Sequence, residues 1–358
     1  MVKIYQKMKI LVNTPSMALK SEGVANHYYG LKPYWTEQVR YNVVGKRRAK
    51  QGTGKYWLLW DIVKFVALNL FWRPQIVLLN PSMAKNALRR DFIFLEIAKF
   101  LGKKVVIFIH GFHPEYCETI NVKKLAAKLS KSNGILVLSQ SYRDSLQKWG
   151  VTCPVEVTTT KVDDRMLQGF DITDRNGTIQ NILFLARIEK EKGLYETITA
   201  YQLLKKKYQD LKLTIVGQGS ELDAAKSFVQ RESIPEVVFT GRLHGAALAE
   251  QYKKADIYCL PSYSEGMPTT VLEAMAFGLP IVTRSVGGLV DFFDNEKMGI
   301  MTTSYNPEDF ASAISKYIEN SDLTKRTSEY NYQYANQHFL ASSVAVCIEK
   351  TLKKICAE

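Results

Sequence analysis

The chain has 358 residues, which are too many for one ordinary hydrophobic core, so we expect two domains. Its composition, 46% hydrophobic and 23% charged, is that of an ordinary globular protein. The five cysteines include no C-x-x-C pair, which disfavours a disulfide framework and a zinc site, and the apolar run Ile10–Val12 is too short for a signal-peptide core. These features predict a protein of the reducing cytoplasm.

Charge is unevenly distributed along the chain. Residues 1–165 hold 27 Lys and Arg against 11 Asp and Glu, whereas residues 166–358 hold 21 against 24. A basic front half predicts attraction to an anionic partner, namely a membrane surface, nucleic acid or a phosphorylated substrate. The alternative is a basic surface that serves solubility alone.

Short apolar runs recur along the whole chain, and a helix-like segment follows each of them. Continuous Val, Ile and Leu runs are typical of parallel strands buried on both faces, and their alternation with helices predicts βαβ units. The predicted strands are Lys9–Asn13, Ile76–Leu79, Val105–Ile109, Ile135–Leu138 and Val155–Thr158 in the front half, and Ile182–Leu185, Leu211–Val216, Val237–Thr240, Ile257–Leu260 and Ile281–Thr283 in the back half.

The polar stretch 171–177 interrupts this rhythm and is the predicted linker. We therefore predict an α/β fold with two Rossmann-like, doubly wound parallel-sheet domains, residues 1–170 and 171–340, facing each other across a ligand cleft. In such sheets a ligand lies beyond the carboxyl ends of the strands.

Two positions in the front half are candidate ligand contacts. Gly23 lies in the loop 16–30 after the first strand, where a glycine permits close approach of the backbone to a ligand. His110 follows the strand Val105–Ile109, where its imidazole suits a ligand hydroxyl. An ordinary surface loop and a structural histidine are the alternatives.

The segment Tyr56–Trp72 is apolar and aromatic, but Asp61 and Lys64 interrupt it. It is too short and too charged for a comfortable membrane span. The basic cluster Lys46–Lys50 precedes it, and basic residues beside a Trp-rich apolar surface suit peripheral attachment to anionic lipid. A helix buried between the sheet and its neighbours is the other interpretation.

In the back half, Arg187 and Lys192 follow the strand Ile182–Leu185, where two cations are placed to neutralise a diphosphate. A solvated charge cluster is the alternative. Gly217 begins a tight Gly-Gln-Gly turn that we expect to line the cleft, and Arg242 belongs to another strand-end turn suited to contacts with a base. No D-x-D pair, P-loop or G-x-S-x-G elbow occurs, which disfavours a metal–diphosphate ligand pair and a P-loop NTPase.

The most informative stretch is 260–280, which predicts a strand end, a glycine-containing loop and a short helix. Pro268 suits the first helical position and Gly278 the residue just past the end. The first turn of a helix presents unpaired N–H groups that bind phosphate or orient a polar ligand. Glu265 in the loop and Glu273 in the helix then face one ligand.

Together these residues resemble the retaining nucleotide-sugar glycosyltransferases of family 4, which have the GT-B fold. The family's E-x(7)-E signature matches S-E-G-M-P-T-T-V-L-E-A-M-A-F-G-L-P-I-V, and its Arg-and-Lys pair matches A-R-I-E-K-E-K-G. The front half departs in two places: the expected glycine pair of the first loop is reduced to Gly23, and Thr159–Asp163 replaces the usual Asn-Gly-Val-Asp.

The resemblance implies roles for the site residues. Arg187, Lys192 and the helix end after Gly266 stabilise charge on the departing diphosphate, Glu273 holds the ribose hydroxyls and Glu265 lies by the sugar hydroxyls. Backbone groups around Gly266, Met267, Pro268 and Thr269 contact the sugar, and His110 contacts the sugar or its departing phosphate. Residues 341–358 are expected to form a last helix that crosses back to the first domain.

The implied reaction moves a hexosyl unit, with retention, from a UDP-sugar or GDP-sugar to a glycan or lipid-linked acceptor, in surface polysaccharide biosynthesis. It needs no metal and no cofactor, and we expect a cytoplasmic protein, peripheral on the inner face of the cell membrane and without a nucleic-acid partner. A GT-B epimerase, a glycoside phosphorylase and a non-catalytic sugar-nucleotide-binding protein are the alternatives. A nucleic-acid-binding protein explains the charge but leaves the Glu265 and Glu273 pair without a role.

Overall fold

The chain forms two compact units in the computed structural model, which describes residues 7–17, 23–45, 55–81, 83–111 and 119–357. One unit comprises Met1–Lys161 with Ala341–Glu358, and the other comprises Val162–Leu340. Each contains a six-stranded sheet whose neighbouring strands are parallel. None of the helices in these ranges is long and apolar enough to cross a bilayer.

The sheet of the first unit has the strand order β2-β1-β3-β4-β5-β6. Its strands are β1 (Lys9–Thr14), β2 (Gln38–Val43), β3 (Ile76–Leu79), β4 (Lys104–Ile109), β5 (Gly134–Val137) and β6 (Val155–Val157). Its helices are α1 (Gly23–Leu31), α2 (Lys55–Ala67), α3 (Lys85–Phe100), α4 (Val122–Leu129) and α5 (Gln140–Lys148). One π-helical turn, Leu68–Trp72, continues α2.

The strand β2 has no counterpart among the predicted strands. It lies at the edge of the sheet, beside β1, and its residues are mostly half-buried or exposed. A strand that is covered on one side only carries no continuous apolar run, so its sequence does not stand out. The central strand β3, by contrast, is buried at all four positions, as its apolar sequence predicts.

A single hydrophobic core covers one face of this sheet. It combines strand residues such as Val77 and Ile107 with residues of α2, α3, α4 and α5, so these four helices form one layer. The helix that follows the second unit packs against α1 instead, within the first unit.

The sheet of the second unit has the strand order β12-β11-β10-β7-β8-β9. Its strands are β7 (Asn181–Leu185), β8 (Lys212–Val216), β9 (Val237–Gly241), β10 (Ile257–Leu260), β11 (Ile281–Arg284) and β12 (Gly299–Thr302). Its helices are α6 (Leu194–Lys205), α7 (Leu222–Arg231), α8 (Ala246–Lys254), α9 (Thr269–Ala276), α10 (Pro307–Ile318) and α11 (Ser321–His338), and the last helix, α12 (Ala341–Ala357), belongs to the first unit. The strand β12, an edge strand like β2, was also not predicted.

The strand order of the second unit has a switch point between β7 and β10. The chain runs from β7 outward to β8 and β9 on one side, then returns to β10 on the other side of β7. The connections that follow the adjacent strands β7 and β10 therefore lead to opposite sides of the sheet, and in sheets of this kind ligands lie beyond the carboxyl ends of the strands at such a point.

The predicted linker 171–177 lies inside the second unit, because the chain divides earlier, after Lys161. Its polar character has a structural use. The guanidinium of Arg175 donates to the backbone carbonyls of Tyr252 at 2.8 Å and Phe277 at 3.1 Å, so this stretch fastens α8 to the end of α9.

Candidate functional site

Two loops at the carboxyl ends of β7 and β10 carry the predicted anion and sugar contacts. Arg187 and Lys192 follow β7, and Glu265 and Glu273 follow β10. The strands β7 and β10 are paired neighbours, with Ile257 opposite Ile182. Their loops therefore meet, although 73 residues separate Lys192 from Glu265 in the chain.

Lys192 and Glu265 form an ion pair. The Lys192 Nζ donates to Glu265 Oε1 at 2.6 Å, and only 13% and 14% of the two side chains are exposed. The same ammonium reaches the carbonyl of Ser264 at 3.3 Å. Since an ammonium has three donors, Lys192 positions the carboxylate and retains one donor for another acceptor.

Arg187, in contrast, is exposed. Among the described residues its guanidinium has an electrostatic effect on Glu189, whose pKa is lowered first by hydrogen bonds from the hydroxyl and backbone N–H of Ser220. Within those ranges the guanidinium of Arg187 makes no hydrogen bond and no ion pair, and its backbone carbonyl accepts from the N–H of Glu189 at 2.9 Å. The two predicted cations therefore differ: Lys192 already serves a carboxylate, whereas Arg187 is available to an anion.

The loop after β10 is fixed by the loop after β7. The backbone N–H of Tyr263 donates to the carbonyl of Glu191 at 2.8 Å. Gly193, with φ of +74°, brings its backbone so close to Pro261 that an added Cβ would lie 2.3 Å from the Pro261 carbonyl oxygen. Only glycine satisfies both the left-handed φ and this approach, so the loops are held together by backbone contacts.

A second clamp, which the sequence reasoning missed, holds Glu265 from the other side. Gly287 has φ of +56°, and a Cβ there would lie 2.3 Å from the carbonyl oxygen of Glu265. The N–H of Gly288 donates to the carbonyl of Gly266 at 2.6 Å. The Gly-Gly pair just after β11 is the sequence signal that predicts such an approach.

The helix α9 begins one residue later than predicted. Pro268 lies at the N-cap with φ of −73° and ψ of 98°, and Thr269 is the first helical residue. Proline has no backbone N–H, and no helical hydrogen bond needs one at the N-cap or in the first turn, so both positions suit it. Within the described ranges the backbone N–H groups of Thr269 and Thr270 have no hydrogen-bond acceptor, as is typical of a helix N-terminus. Gly278, with φ of +67°, follows the helix end as predicted.

Glu273 is buried in α9, with 8% of the residue exposed. It accepts a hydrogen bond of 2.7 Å from the hydroxyl of Tyr252, whose ring stacks on Phe277. Burial, and then the charge of Glu273, raise the pKa of Tyr252 well above its ordinary value, so the hydroxyl stays a donor. Tyr252 therefore orients the carboxylate, a role the sequence did not reveal.

Gly217 supports the loop that carries Arg187. An added Cβ would lie 2.0 Å from the carbonyl oxygen of Ala186, and the next residue, Gln218, accepts from the N–H of Ile188 at 3.2 Å. This packing explains the glycine without a ligand. Arg242 is exposed and follows β9, which β8 separates from β7. Contacts of Gly217 and Arg242 with a substrate stay predictions.

In the first unit, His110 follows β4 as predicted. Its Nε2 lies 3.0 Å from Asn80 Oδ1, which also accepts from the Tyr28 hydroxyl at 2.6 Å, while Asn80 Nδ2 donates to the carbonyl of Asn13 at 2.8 Å. Burial lowers the pKa of His110 to about 3, so the imidazole is neutral. Since Oδ1 accepts only, Nε2 carries the proton and Nδ1 is left as an acceptor.

Gly23 is the first residue of α1 and is exposed, and residues 18–22 of the preceding loop lie outside the described ranges. The cluster Lys46–Lys50 also lies outside them. In the part of the chain that is described, no three His, Cys, Asp or Glu side chains come together as a metal site requires.

Comparison with known proteins identifies the relatives of this chain. Residues 170–334 match the family described as glycosyl transferases group 1. An uncharacterized glycosyltransferase of Haemophilus influenzae is 33% identical over 152 residues, 42% of each chain. A putative teichuronic acid biosynthesis glycosyltransferase of Bacillus subtilis is 30% identical over 163 residues, 46% of this chain and 39% of that protein. The chain thus matches less than half the length of these two relatives.

The fold has counterparts among solved structures. The Anabaena protein Alr3699/HepE, in complex with UDP and glucose, superposes with a TM-score of 0.73 over 97% of this chain and 100% of that chain, at 18% identity. The predicted fold class, α/β with two Rossmann-like parallel-sheet domains of the GT-B type, is confirmed by this likeness and by the two sheets.

Proposed function

We propose that the protein moves a hexosyl unit from a nucleotide-diphosphate sugar, with retention of configuration, as a member of the group 1 glycosyltransferase family that residues 170–334 match. The observation that carries the proposal is the arrangement at β7 and β10. An open Arg187, the Lys192–Glu265 pair and the N-terminus of α9 lie together at the switch point of one sheet.

The chemistry that this arrangement favours is departure of a nucleoside diphosphate. Such a leaving group needs no strong acid, but negative charge grows on its β-phosphate as the sugar leaves. In this proposal Arg187, the third donor of Lys192 and the N–H groups at the start of α9 stabilise that charge, as an oxyanion hole does. We propose that they act in place of a divalent metal ion.

The two carboxylates have separate tasks in this proposal. Glu273, oriented by Tyr252, holds the ribose hydroxyls of the donor. Glu265 accepts from hydroxyls of the donor sugar, and Lys192 holds its carboxylate in place. Backbone groups of Gly266 and its neighbours contact the same sugar. Because no second carboxylate is placed as a nucleophile, we favour attack from the same face as departure over a double displacement.

The protonation state of His110 refines its proposed role. Its free Nδ1 accepts hydrogen bonds, which suits a sugar hydroxyl and does not suit an unprotonated phosphate oxygen. Of the two predicted contacts, the sugar is therefore favoured.

The acceptor is proposed to be a glycan or a lipid-linked sugar in surface polysaccharide biosynthesis, at the inner face of the cell membrane. Two observations support this: the name of the Bacillus subtilis relative refers to teichuronic acid biosynthesis, and the unit that contains Met1–Lys161 and Ala341–Glu358 holds 29 Lys and Arg against 11 Asp and Glu. A strong positive charge attracts an anionic or lipid-pyrophosphate acceptor.

The experiment begins with thermal-shift measurements against UDP, GDP and ADP, which identify the base. Purified protein is then given the matching nucleotide sugars with lipid-linked acceptors, and we expect nucleotide release and a glycosylated product with the anomeric configuration of the donor. Turnover equal to wild type in both Arg187→Ala and Glu273→Ala would contradict the site.

Product analysis by mass spectrometry separates the alternatives. An epimerase returns an isomer of the donor, a phosphorylase consumes inorganic phosphate, and a non-catalytic sensor binds donor without turnover. The open Arg187 beside the ion pair favours the transferase over the sensor, since charge that acts on the departing phosphate serves turnover.

A further inference from the structure

The helix α2 and its π-helical turn bury polar side chains among apolar ones and expose large apolar side chains. Asp61 and Asn69 point inward and are buried, and each is hydrogen-bonded: Asp61 Oδ2 accepts from the N–H of Gly45 at 2.9 Å, and Asn69 Nδ2 donates to the carbonyl of Phe65 at 2.8 Å. A helix on a solvent-facing layer normally buries its apolar stripe and exposes its polar one. Here two polar groups lie inside beside the core residue Phe65, while large apolar side chains remain on the outer side.

Five large apolar side chains form what we call the α2 outer face. Their exposed fractions are 50% or more, and the residues are Leu59 at 63%, Trp60 at 58%, Val63 at 54%, Leu70 at 50% and Phe71 at 87%. Single exposed apolar residues need no explanation, but a contiguous set on one helix marks an interaction surface. Trp at such a surface suits the headgroup region of a bilayer.

A basic pocket lies between the next two helices. Its cavity of about 450 Å³ has an apolar floor that includes Leu88 and Phe92. Four exposed cations surround it, which we call the α3–α4 basic pocket: Lys85, Arg89, Lys124 and Lys128. None of the described residues that line it is acidic. An apolar floor with a cationic rim fits a group that is partly lipid and carries phosphate at its edge.

The two features lie in one layer. The helices α2, α3 and α4 share the core on a single face of the sheet, and α2 packs against α3 through Phe65 and Phe94, whose ring centroids are 4.9 Å apart. The α2 outer face and the basic pocket are thus presented side by side from the same helical layer.

We propose that this layer is a docking surface for an anionic lipid bilayer. The α2 outer face enters the headgroup region, with its helix lying in the membrane plane, and the α3–α4 basic pocket binds phosphate groups of anionic lipids. Charge decides between occupants. The unit has a formal net charge of +18 from its 29 basic and 11 acidic residues, so a second copy is repelled while an anionic membrane is attracted.

The test uses the full chain and sedimentation with two kinds of vesicle, phosphatidylcholine alone and phosphatidylcholine with phosphatidylglycerol. We expect pelleting with the anionic vesicles, reduced at high salt because charge screening weakens the attraction. The triple variant Leu59→Ser/Trp60→Ser/Phe71→Ser should lose pelleting at every salt concentration. Because these side chains are exposed, the unfolding temperature of the triple variant should equal that of the wild-type protein.

The basic pocket is tested by Lys85→Glu/Lys124→Glu. Both residues lie in the first turn of a helix, where an acidic side chain interacts favourably with the helix dipole, so the reversal does not weaken the fold. We expect the partition coefficient onto anionic vesicles to fall about tenfold or more, at about 1 kcal/mol for each lysine removed. Partition onto pure phosphatidylcholine should change little.

A matched control comes from the other unit. Lys226→Glu/Val238→Ser removes one exposed cation and one exposed apolar residue, and it should pellet as wild type does. Thermal shift by the bound nucleotide should be unchanged in all three variants, so this test is independent of the donor site. Pelleting of the triple variant at the wild-type level would overturn the proposal. It would also be overturned if the wild-type protein bound no vesicles and formed a dimer that the triple variant did not form.

Discussion

The ion pair between Lys192 and Glu265 leads to a prediction in which a second substitution restores stability but does not restore turnover. Lys192→Met removes one of the fixed charges proposed to stabilise the departing diphosphate. Loss of one such preorganised donor lowers the rate about 10²–10³-fold, or about 2.7–4 kcal/mol. The same change leaves the Glu265 carboxylate, only 14% exposed, without its cation.

The cost in stability is intermediate. Exposed ion pairs contribute about 0–1 kcal/mol, and breaking a fully buried pair costs about 3–5 kcal/mol. At 13% and 14% exposure we expect the Lys192→Met variant to lose about 1–3 kcal/mol of unfolding free energy. The double variant Lys192→Met/Glu265→Gln removes the orphaned charge, so it should regain stability but not turnover.

The assay combines nucleotide release from the donor, calorimetric affinity for the free nucleotide and calorimetric unfolding. Lys190→Ala, an exposed lysine in the same short turn, is the matched control and should equal wild type. Glu265→Gln alone should bind free nucleotide at least as tightly as wild type, because a negative charge no longer competes with the phosphates for the Lys192 ammonium. Recovery of turnover in the double variant would refute the charge argument, since Lys192 would then serve only to hold the loop.

Three further predictions follow from the same geometry. Gly287→Ala should abolish nucleotide binding and destabilise the fold more than Gly241→Ala does. Both glycines have a positive φ, but a Cβ at Gly241 would have no atom within 4 Å, so Gly241→Ala should lower the unfolding free energy by about 1–2 kcal/mol in calorimetry. Tyr252→Phe should weaken donor binding by about 1 kcal/mol through its lost hydrogen bond to Glu273, measured by titration calorimetry, with the fold retained. Burial holds the pKa of His110 near 3 against an ordinary value of 6.5, so its contribution to stability is complete above pH 6.5 and falls as the pH drops toward 3. Because all five tryptophans lie within residues 1–161, fluorescence-detected unfolding reports this unit, and His110→Asn should flatten its acid dependence by up to about 1.4 kcal/mol per pH unit.

The sequence was sufficient for the central strands and for the residue types of the site. Runs such as Ile76–Leu79 are apolar throughout because both faces of the strand are covered, and that pattern is local. The helix stop at Gly278 and the short helix with Glu273 were likewise predictable, because caps and breakers act over a few residues. The edge strands β2 and β12 were not predicted, because strands that are only partly covered have a weaker apolar sequence pattern.

The contacts within the site are different in kind. The sequence predicted that Arg187 and Lys192 both neutralise a diphosphate. Whether Lys192 also pairs with Glu265 depends on β10 lying beside β7. It depends as well on Gly193 and Gly287, which fix the loop after β10. Strand order joins residues that are far apart in the chain, and no local pattern reports it. The outward face of α2 likewise depends on the tertiary structure. An apolar helical sequence has the same pattern whether the helix is buried or exposed. The packing that buries Asp61 and Asn69 decided which side of α2 faces out.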